Sequence, residues 1–284
     1  MLTEDDLGEL TLYDIDRDRA HYLARDLRDT ALERQYSTRV HFAENLGELH
    51  GSDIVIISAG RGYLPQEDAA TLFRENSGVV DAVAKSFVGS SAIFVVATEP
   101  VDLMTTAIGE ALKIPPSRVL GLGGLVDSYR LRYLISETIG TSPKYIQAQV
   151  IGPHDEDAKI IWEFCSVNGI SILELTTEEQ RNEIAARFAQ NDMSTDNSPS
   201  RYAPAVACLE LLRTIVKPGR NVHTVTLRWG PNRGMPEGAM SVPVLVGQVG
   251  AEHPIVPKLS EAFRSLLEKR TREQAAVLAQ GGMA

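Results

Sequence analysis

Three side chains that could transfer a proton and hold an organic acid lie close together in the sequence. Asp127 and Arg130 belong to the segment LVDSYR, and His154 belongs to IGPHDED. A histidine that a carboxylate orients is a proton carrier near neutral pH, and a neighbouring arginine is a planar, two-pronged donor for a substrate carboxylate. Together the three residues predict proton transfer on a small organic acid. No glycine-rich phosphate loop precedes them.

The elements that must position these residues begin with an alternation of predicted strands and helices. Apolar runs predict strands at 9–15, 37–42, 53–60, 91–100 and 118–123, and amphipathic stretches predict helices at 17–34, 70–88 and 102–113. This alternation predicts a parallel sheet covered by helices on both faces. Ligands bind at the carboxyl ends of the strands in such sheets, so position alone selects Asp14, Gly60 and Glu99 as candidate site residues.

From about residue 125 the pattern changes to a mixture of helices and antiparallel strands. Its predicted elements are a long helix at 126–140, a strand at 145–152, helices near 156–168, 177–190 and 202–216, an antiparallel strand pair at 222–230 and 240–250, and a closing helix at 258–278. The predicted strand at 145–152 delivers His154 at its end. The change of pattern predicts two domains, 1–123 and 124–284.

Composition restricts the classes of partner. The chain has 284 residues, a net charge of −10 and a hydrophobic content of 43%. The acidic balance argues against nucleic acid or an anionic membrane as the main partner. The two cysteines, Cys165 and Cys208, are too few for a disulfide scaffold or a cysteine zinc site. The N-terminus has no apolar signal region and no apolar run is long enough to span a bilayer, so the sequence predicts a cytoplasmic protein.

An ordered series of segments resembles the lactate/malate dehydrogenase family. The segments are LTLYDID, SDIVIISAG, the loop ending in LFREN, the strand ending in EPVD, GLGGLVDSYRLR, VIGPHDED and MSVPVLVG. The resemblance covers nearly the whole chain. It implies a Rossmann-like dinucleotide-binding domain at 1–123, an α+β substrate domain at 124–284, and a homodimer or tetramer.

The resemblance also implies roles for individual residues. In that family an Asp–His pair moves the proton while a nicotinamide cofactor gives or takes the hydride, and the pair falls on Asp127 and His154. The arginine that clamps the substrate carboxylate falls on Arg130. The acid that binds the adenosine ribose falls on Asp14, and the small residue that touches the substrate side chain falls near Ser200. The partner implied is a small 2-oxo or 2-hydroxy carboxylate.

The sequence departs from the family pattern on the cofactor side and in the substrate pocket. On the cofactor side, Gly60 is selected by its position at a strand end. The family's first strand and its glycine-rich loop have no counterpart, so NAD binding is expected to be weakened. Glu99 replaces the asparagine of an Asn-Pro strand end. In the mobile loop, Tyr63 and Ala69 stand where two arginines are expected, and Arg61 is out of register. These departures predict a slow or altered reaction.

Three functions remain open on these residues. The first is a divergent dehydrogenase-like enzyme that acts on a small carboxylic acid by Asp–His chemistry. The second is a non-redox enzyme, catalysing elimination, addition or isomerisation, in which Glu99, Asp127 and His154 form a new acid/base set or ligate a divalent metal. The third is a catalytically silent binding or scaffold protein.

Overall fold

The computed structural model describes residues 7–64, 66–190, 202–230, 235–256 and 258–280. The strands are β1 (Glu9–Leu12), β2 (Arg39–Phe42), β3 (Ile54–Ile57), β4 (Ile93–Val96), β5 (Val119–Gly121), β6 (Ile146–Gln147), β7 (Val150–Ile151), β8 (Lys159–Ile160), β9 (Ser166–Val167), β10 (Ile170–Ser171), β11 (Arg220–Trp229), β12 (Gly238–Gly247) and β13 (Gly250–Pro254). The α-helices are α1 (Arg17–Glu33), α2 (Ala69–Ser86), α3 (Val101–Leu112), α4 (Gly123–Ile139), α5 (Ile172–Leu175), α6 (Glu178–Ala189), α7 (Tyr202–Val216) and α8 (Glu261–Gln280).

A six-stranded sheet in the order β13-β12-β11-β5-β4-β3 forms the centre of the molecule. Strands β3, β4 and β5 pair in parallel, whereas β11, β12 and β13 are antiparallel. The two parts join where Thr226 pairs with Gly121. The predicted fold class, a Rossmann-like parallel sheet followed by an α+β region, is confirmed, and one sheet continues across both predicted halves.

The first two strands stand apart from this sheet. β1 and β2 pair in parallel as a separate two-stranded sheet, and in the part of the chain that the structure describes no strand joins β1 to β3. Their apolar residues, together with those of α1, form a small core of their own around Leu10, Ala24, Ala31 and Val40. The β1-α1-β2 unit is therefore stabilised mainly from within.

The main core covers both faces of the central sheet. On one face α2 and α3 pack on β3–β5 through Phe73, Phe94 and Met104, all fully buried. The opposite face packs against α7 and α8 through Leu211 and Leu267. Full burial of each such side chain contributes about 1.5–3 kcal/mol, so the strand ends that carry the site project from a rigid base.

The helix predicted near 156–168 is wrong. This stretch forms β8, a single 3-10 turn at Trp162–Phe164, and β9. β8 pairs with β7, and β9 pairs with β6, so tertiary strand pairing overrides the local charged pattern that suggested a helix. The predicted strand at 145–152 is correspondingly divided into β6 and β7, which belong to different sheets.

Among the described residues, no helix combines the length and the apolar character that a membrane span requires.

Candidate functional site

The candidate site lies where the carboxyl end of β4, the first turns of α4 and the chain leaving β7 meet. Glu99 follows β4, Asp127 lies in the second turn of α4, and His154 follows β7. The structure therefore brings together three residues that the sequence selected separately. Arg130 lies one helical turn beyond Asp127, on the same face of α4.

Asp127 orients the ring of His154. The Nδ1 atom of His154 lies 2.8 Å from Oδ2 of Asp127, which is only 4% exposed. Because a carboxylate only accepts hydrogen bonds, the proton on this side of the ring belongs to Nδ1. The other oxygen of Asp127, Oδ1, lies 3.8 Å from Nη1 of Arg130. The carboxylate thus lies between the ring and the guanidinium.

Glu99 faces the opposite edge of the same ring. Its Oε1 lies 3.4 Å from Nε2 of His154, and its Oε2 accepts a hydrogen bond of 3.1 Å from the backbone N–H of Val101. The peptide between Glu99 and Pro100 is cis. Asn76 donates a 2.7 Å hydrogen bond to the carbonyl of Glu99. Both ring nitrogens of His154 therefore face a carboxylate.

The two carboxylates determine the charge of His154. Burial alone would lower the pKa of the ring, but the negative charges of Asp127 and then Glu99 outweigh it and raise that pKa well above 6.5. His154 accordingly holds its proton at neutral pH.

Asp102 is a site residue that sequence reasoning missed. It is buried in the first turn of α3, where its Oδ2 accepts the backbone N–H of His154 at 2.9 Å and its Oδ1 accepts the hydroxyl of Thr226 at 3.0 Å. Burial raises the pKa of Asp102 to about 7. This carboxyl fixes the backbone of His154, as Asp127 fixes its ring. The acid in the segment EPVD was the available signal.

Glycines allow α4 to approach His154. A Cβ at Gly123 would lie 2.7 Å from both Cβ and Cγ of His154, and a Cβ at Gly124 would lie 2.5 Å from Cβ of Ser241. The backbone N–H of Gly124 donates to Oγ of Ser241 at 2.9 Å. The glycines of the GLGG segment therefore allow close packing at the start of α4, where any larger residue would displace the site.

The loop after β3 places a tyrosine, and not an arginine, at the site. Burial raises the pKa of Tyr63, and the charges of Glu99, Asp102 and Asp155 raise it further, so its hydroxyl stays neutral beside these acids. Arg61 makes two short hydrogen bonds, of 2.7 and 2.6 Å, to Glu67 of its own loop. Its charge is thus neutralised within the loop.

The residues assigned to the cofactor side lie at strand ends, as predicted from position. Asp14 follows β1 and accepts a 3.0 Å hydrogen bond from the backbone N–H of Asp16. Gly60 follows β3 with a φ of +114°, and a Cβ there would meet Oδ1 of Asn76 at 2.8 Å. A partly exposed carboxylate at this strand end fits the ribose hydroxyls of a dinucleotide.

The helix starts on this edge offer less to a pyrophosphate. Asp16 accepts the N–H of Arg19 at the start of α1, and Asp68 accepts the N–H of Thr71 at the start of α2. Glu99 does the same for α3. A phosphate binds at a helix N-terminus through N–H groups and a positive dipole end. Since carboxylates already occupy these three N-termini, the described residues fit the ribose but not the pyrophosphate.

Ser200 lies outside the described residues. No group of three or more His, Cys, Asp or Glu side chains that could hold a metal ion occurs in the described ranges. Glu99 and Asp127 contact opposite nitrogens of His154, so the imidazole separates the two carboxylates. This arrangement suits proton transfer and does not form a common ligand set.

The fold and the site together define an α/β protein of the dinucleotide-binding type that carries an acid/base pair beside its central sheet. Comparison with family models makes the assignment specific. The model for the lactate/malate dehydrogenase NAD binding domain matches residues 1–121, and the model for the alpha/beta C-terminal domain of the same family matches residues 125–281. The chain belongs to the lactate/malate dehydrogenase family.

Individual relatives agree with this assignment. The chain is 29% identical to a malate dehydrogenase of Cytophaga hutchinsonii over 268 residues, covering 92% of this chain and 86% of the relative. It is 27% identical to an L-lactate dehydrogenase of Staphylococcus epidermidis over 281 residues, covering 96% and 89%. The fold matches a lactate dehydrogenase of Cryptosporidium parvum, solved with lactic acid and nicotinamide adenine dinucleotide, with a TM-score of 0.87, 24% identity and coverage of 99% and 92%.

Proposed function

We propose that the protein is a divergent oxidoreductase that interconverts a small 2-oxo acid and the corresponding 2-hydroxy acid, with His154 as the proton carrier. The observation that carries this proposal is the 2.8 Å hydrogen bond between His154 and Asp127, with Arg130 next to it. Family membership supplies the reaction class. The arrangement supplies a proton donor, its orienting carboxylate and a cation for the substrate carboxylate.

The proton steps follow from the ring's contacts. In reduction, the His154 imidazolium gives its Nε2 proton to the substrate carbonyl oxygen, and Asp127 stabilises the charge before the transfer. In oxidation, the neutral ring accepts the hydroxyl proton. Arg130 binds the substrate carboxylate through its planar guanidinium. Its side chain is 36% exposed, so a substrate can reach it.

A nicotinamide cofactor, when bound, gives or accepts the hydride. On this chain Asp14 would hold the ribose hydroxyls, and its negative charge would disfavour a 2′-phosphate, so NAD is proposed in preference to NADP. The pyrophosphate needs donors other than the N-termini of α1, α2 and α3, which bind carboxylates. We therefore expect NAD binding to be weak.

The loop after β3 is expected to slow the reaction. Family resemblance places two arginines at the positions of Tyr63 and Ala69, so the arginine that polarises the substrate carbonyl has no counterpart here. Tyr63 of this loop lies within the electrostatic influence of Glu99 and Asp102, and its hydroxyl donates at most one neutral hydrogen bond. Loss of one such electrostatic donor costs roughly 2.7–4 kcal/mol of barrier.

A homo-oligomer is part of the proposal. Large apolar side chains are exposed on three helices: Leu32 of α1 at 71%, Tyr133 of α4 at 54% and Val206 of α7 at 53%. Family membership supports an oligomer, and these side chains are apolar groups that an interface between copies of the chain would cover. Light scattering coupled to size exclusion measures the mass directly, and we expect a dimer or a tetramer.

The second candidate function is a non-redox proton-transfer enzyme, and the contact between Glu99 and His154 favours it. A ring with a carboxylate at each nitrogen can pass a proton between an acid and a base without any hydride. Such an enzyme would turn over without NAD, and Glu99→Gln would abolish its activity. A silent scaffold, the third possibility, would be unaffected by His154→Ala.

The deciding experiment follows NADH absorbance at 340 nm with a panel of 2-oxo monocarboxylic and 2-oxo dicarboxylic acids, while a parallel sample without cofactor is analysed for conversion of each acid. Consumption of NADH that depends on one of the acids supports the proposal. Conversion in the cofactor-free sample alone selects the non-redox function. No conversion in either sample, with protein shown to be folded, leaves only the scaffold.

A further inference from the structure

Glu99 is held firmly beside the His154 ring. Its Oε2 is fixed by the N–H of Val101 at 3.1 Å, and its carbonyl is fixed by the amide of Asn76 at 2.7 Å. Asn76 is itself buried and also bonds both the N–H and the carbonyl of Arg61. One carboxylate oxygen and the backbone carbonyl of Glu99 are therefore both held by hydrogen bonds, and Oε1 is directed at Nε2 of His154.

We propose that Glu99 is a positioning residue that keeps the Nε2 proton on His154 and so sets the site to donate a proton to a 2-oxo acid. This inference rests on the proposed function and adds the direction in which the site is poised. It also explains the effect of a carboxylate at this position. An amide carries no charge and could not stabilise the protonated ring in the same way.

The groups around the ring are consistent with this assignment. Asp127 and Glu99 contact the two ring nitrogens, and Asp102 contacts the backbone N–H of the same residue. Among the described residues, other charged or titratable groups near this region are Arg130 of α4, Tyr63 of the loop after β3, and Asp155 of the chain after β7. In the same part of the chain, Asp127 and Glu99 are the carboxylates in contact with the ring nitrogens, and both favour the protonated form of the ring.

The protonation state of the His154 ring determines which direction of the reaction the site can serve. When a bound cofactor supplies the hydride, the Nε2 proton of His154 would go to the carbonyl oxygen of the substrate, and the ring would then recover a proton from solvent. Oxidation requires a ring that starts without that proton. Since the carboxylate of Glu99 lies 3.4 Å from Nε2 and favours the protonated ring, it increases the population of the donor form and moves the acceptor form to higher pH.

Histidine NMR measures the protonation state of the His154 ring without any need for enzymatic activity. The full-length protein is labelled with 15N and 13C in histidine, and the His154 signal is identified by its absence in His154→Gln. We expect the wild-type ring to stay doubly protonated through the neutral range. In Glu99→Gln, which keeps the size of the side chain but removes its charge, the midpoint should fall by roughly 1 pH unit or more. Glu261→Gln, on the exposed side of α8, is the matched control and should leave it unchanged.

The outcomes separate this inference from the proposed function. Equal midpoints in wild type and folded Glu99→Gln would overturn the role of Glu99, even if hydride transfer is found. Where Glu99→Gln does not fold, Glu99→Asn replaces it in the same comparison. A shifted midpoint without hydride transfer to any 2-oxo acid would reject both the proposed function and the direction of proton donation. The electrostatic effect of Glu99 on the His154 ring would then be the part of the inference that stands. A shifted midpoint should also move the alkaline limit of reduction to lower pH and speed oxidation at neutral pH.

Discussion

The substrate side and the cofactor side of this molecule are built in different ways. On the substrate side, Asp127, Glu99 and Asp102 fix the ring and the backbone of His154 through three separate contacts. On the cofactor side, the β1-α1-β2 unit has its own sheet and a small separate core. Helix N-termini on this side, which could otherwise bind a phosphate, are capped by carboxylates such as that of Asp16 at α1.

In the proposed function, this difference would make the acid/base geometry and dinucleotide binding separable within one fold. The proton-transfer site depends on contacts among α3, α4, β7 and the strands of the central sheet. None of these contacts involves β1, α1 or β2. A chain with this architecture can therefore hold a complete proton carrier while its cofactor edge offers few ready donors.

The largest effect that would test the substrate side is expected from His154→Gln. Loss of the proton carrier should reduce turnover of the 2-oxo acid about 10²–10⁴-fold, as expected for a general acid. The measurement is the steady-state rate under saturating NADH. His253→Gln, an exposed histidine of β13, is the control and should keep full activity. Equal rates in the two variants would place the chemistry elsewhere.

The packing of α4 against the ring gives the next effect. Gly123→Ala places a Cβ 2.7 Å from two atoms of His154, so overpacking should cost about 1–3 kcal/mol of the free energy of unfolding and move the ring. Gly78→Ala in α2 meets nothing within 4 Å and should instead stabilise the protein by about 0.5–1 kcal/mol. Chemical denaturation measures both, and a Gly123→Ala protein as stable as wild type would contradict the packing described here.

The charge of His154 should also appear in the pH dependence of stability. Its pKa in the folded protein lies above the unfolded value of 6.5, so the folded state holds a proton that the unfolded state has lost. This contribution is fully present below pH 6.5 and is lost as the pH rises towards the folded value, with a slope of about 1.4 kcal/mol per pH unit. Asp102, whose folded pKa is about 7, contributes in the same direction but only up to that pH.

Denaturant titrations from about pH 7 upwards, above the folded pKa of Asp102, therefore report mainly the contribution of the histidine. The free energy of unfolding of wild type should fall across this interval more steeply than that of His154→Gln, which lacks the ring. Parallel slopes for the two proteins would show that the carboxylates do not hold the proton on His154.

The smallest effect is expected on the cofactor side. Asp16→Ala removes the carboxylate that accepts the N–H of Arg19 at the start of α1. Loss of an N-cap of this kind costs about 0.5–2 kcal/mol. Because α1 makes no contact with the acid/base residues, the histidine NMR signal of His154 should be unchanged. A shift of that signal in Asp16→Ala would break the separation between the two sides.

The fold class and part of the site could be predicted from the sequence. Strand and helix types placed Glu99 at a strand end, Asp127 on a helix and His154 after a strand, and the structure brings these three together. The acid in EPVD was visible in the sequence, but the role of Asp102 depends on tertiary contacts with Thr226, 124 residues further along the chain, and with the backbone of His154. The false helix at 156–168 has the same origin, since pairing of β8 with β7 is a tertiary effect.

The central claim is that this site moves a proton from His154 in step with a hydride, and isotope transfer tests it most directly. Each 2-oxo acid is incubated with the protein and with NADH that carries deuterium at the transferred position of the nicotinamide, and the product is examined by mass spectrometry. The account predicts a 2-hydroxy acid with deuterium at C2. Product without deuterium, or none with any acid while the protein is folded, would contradict it.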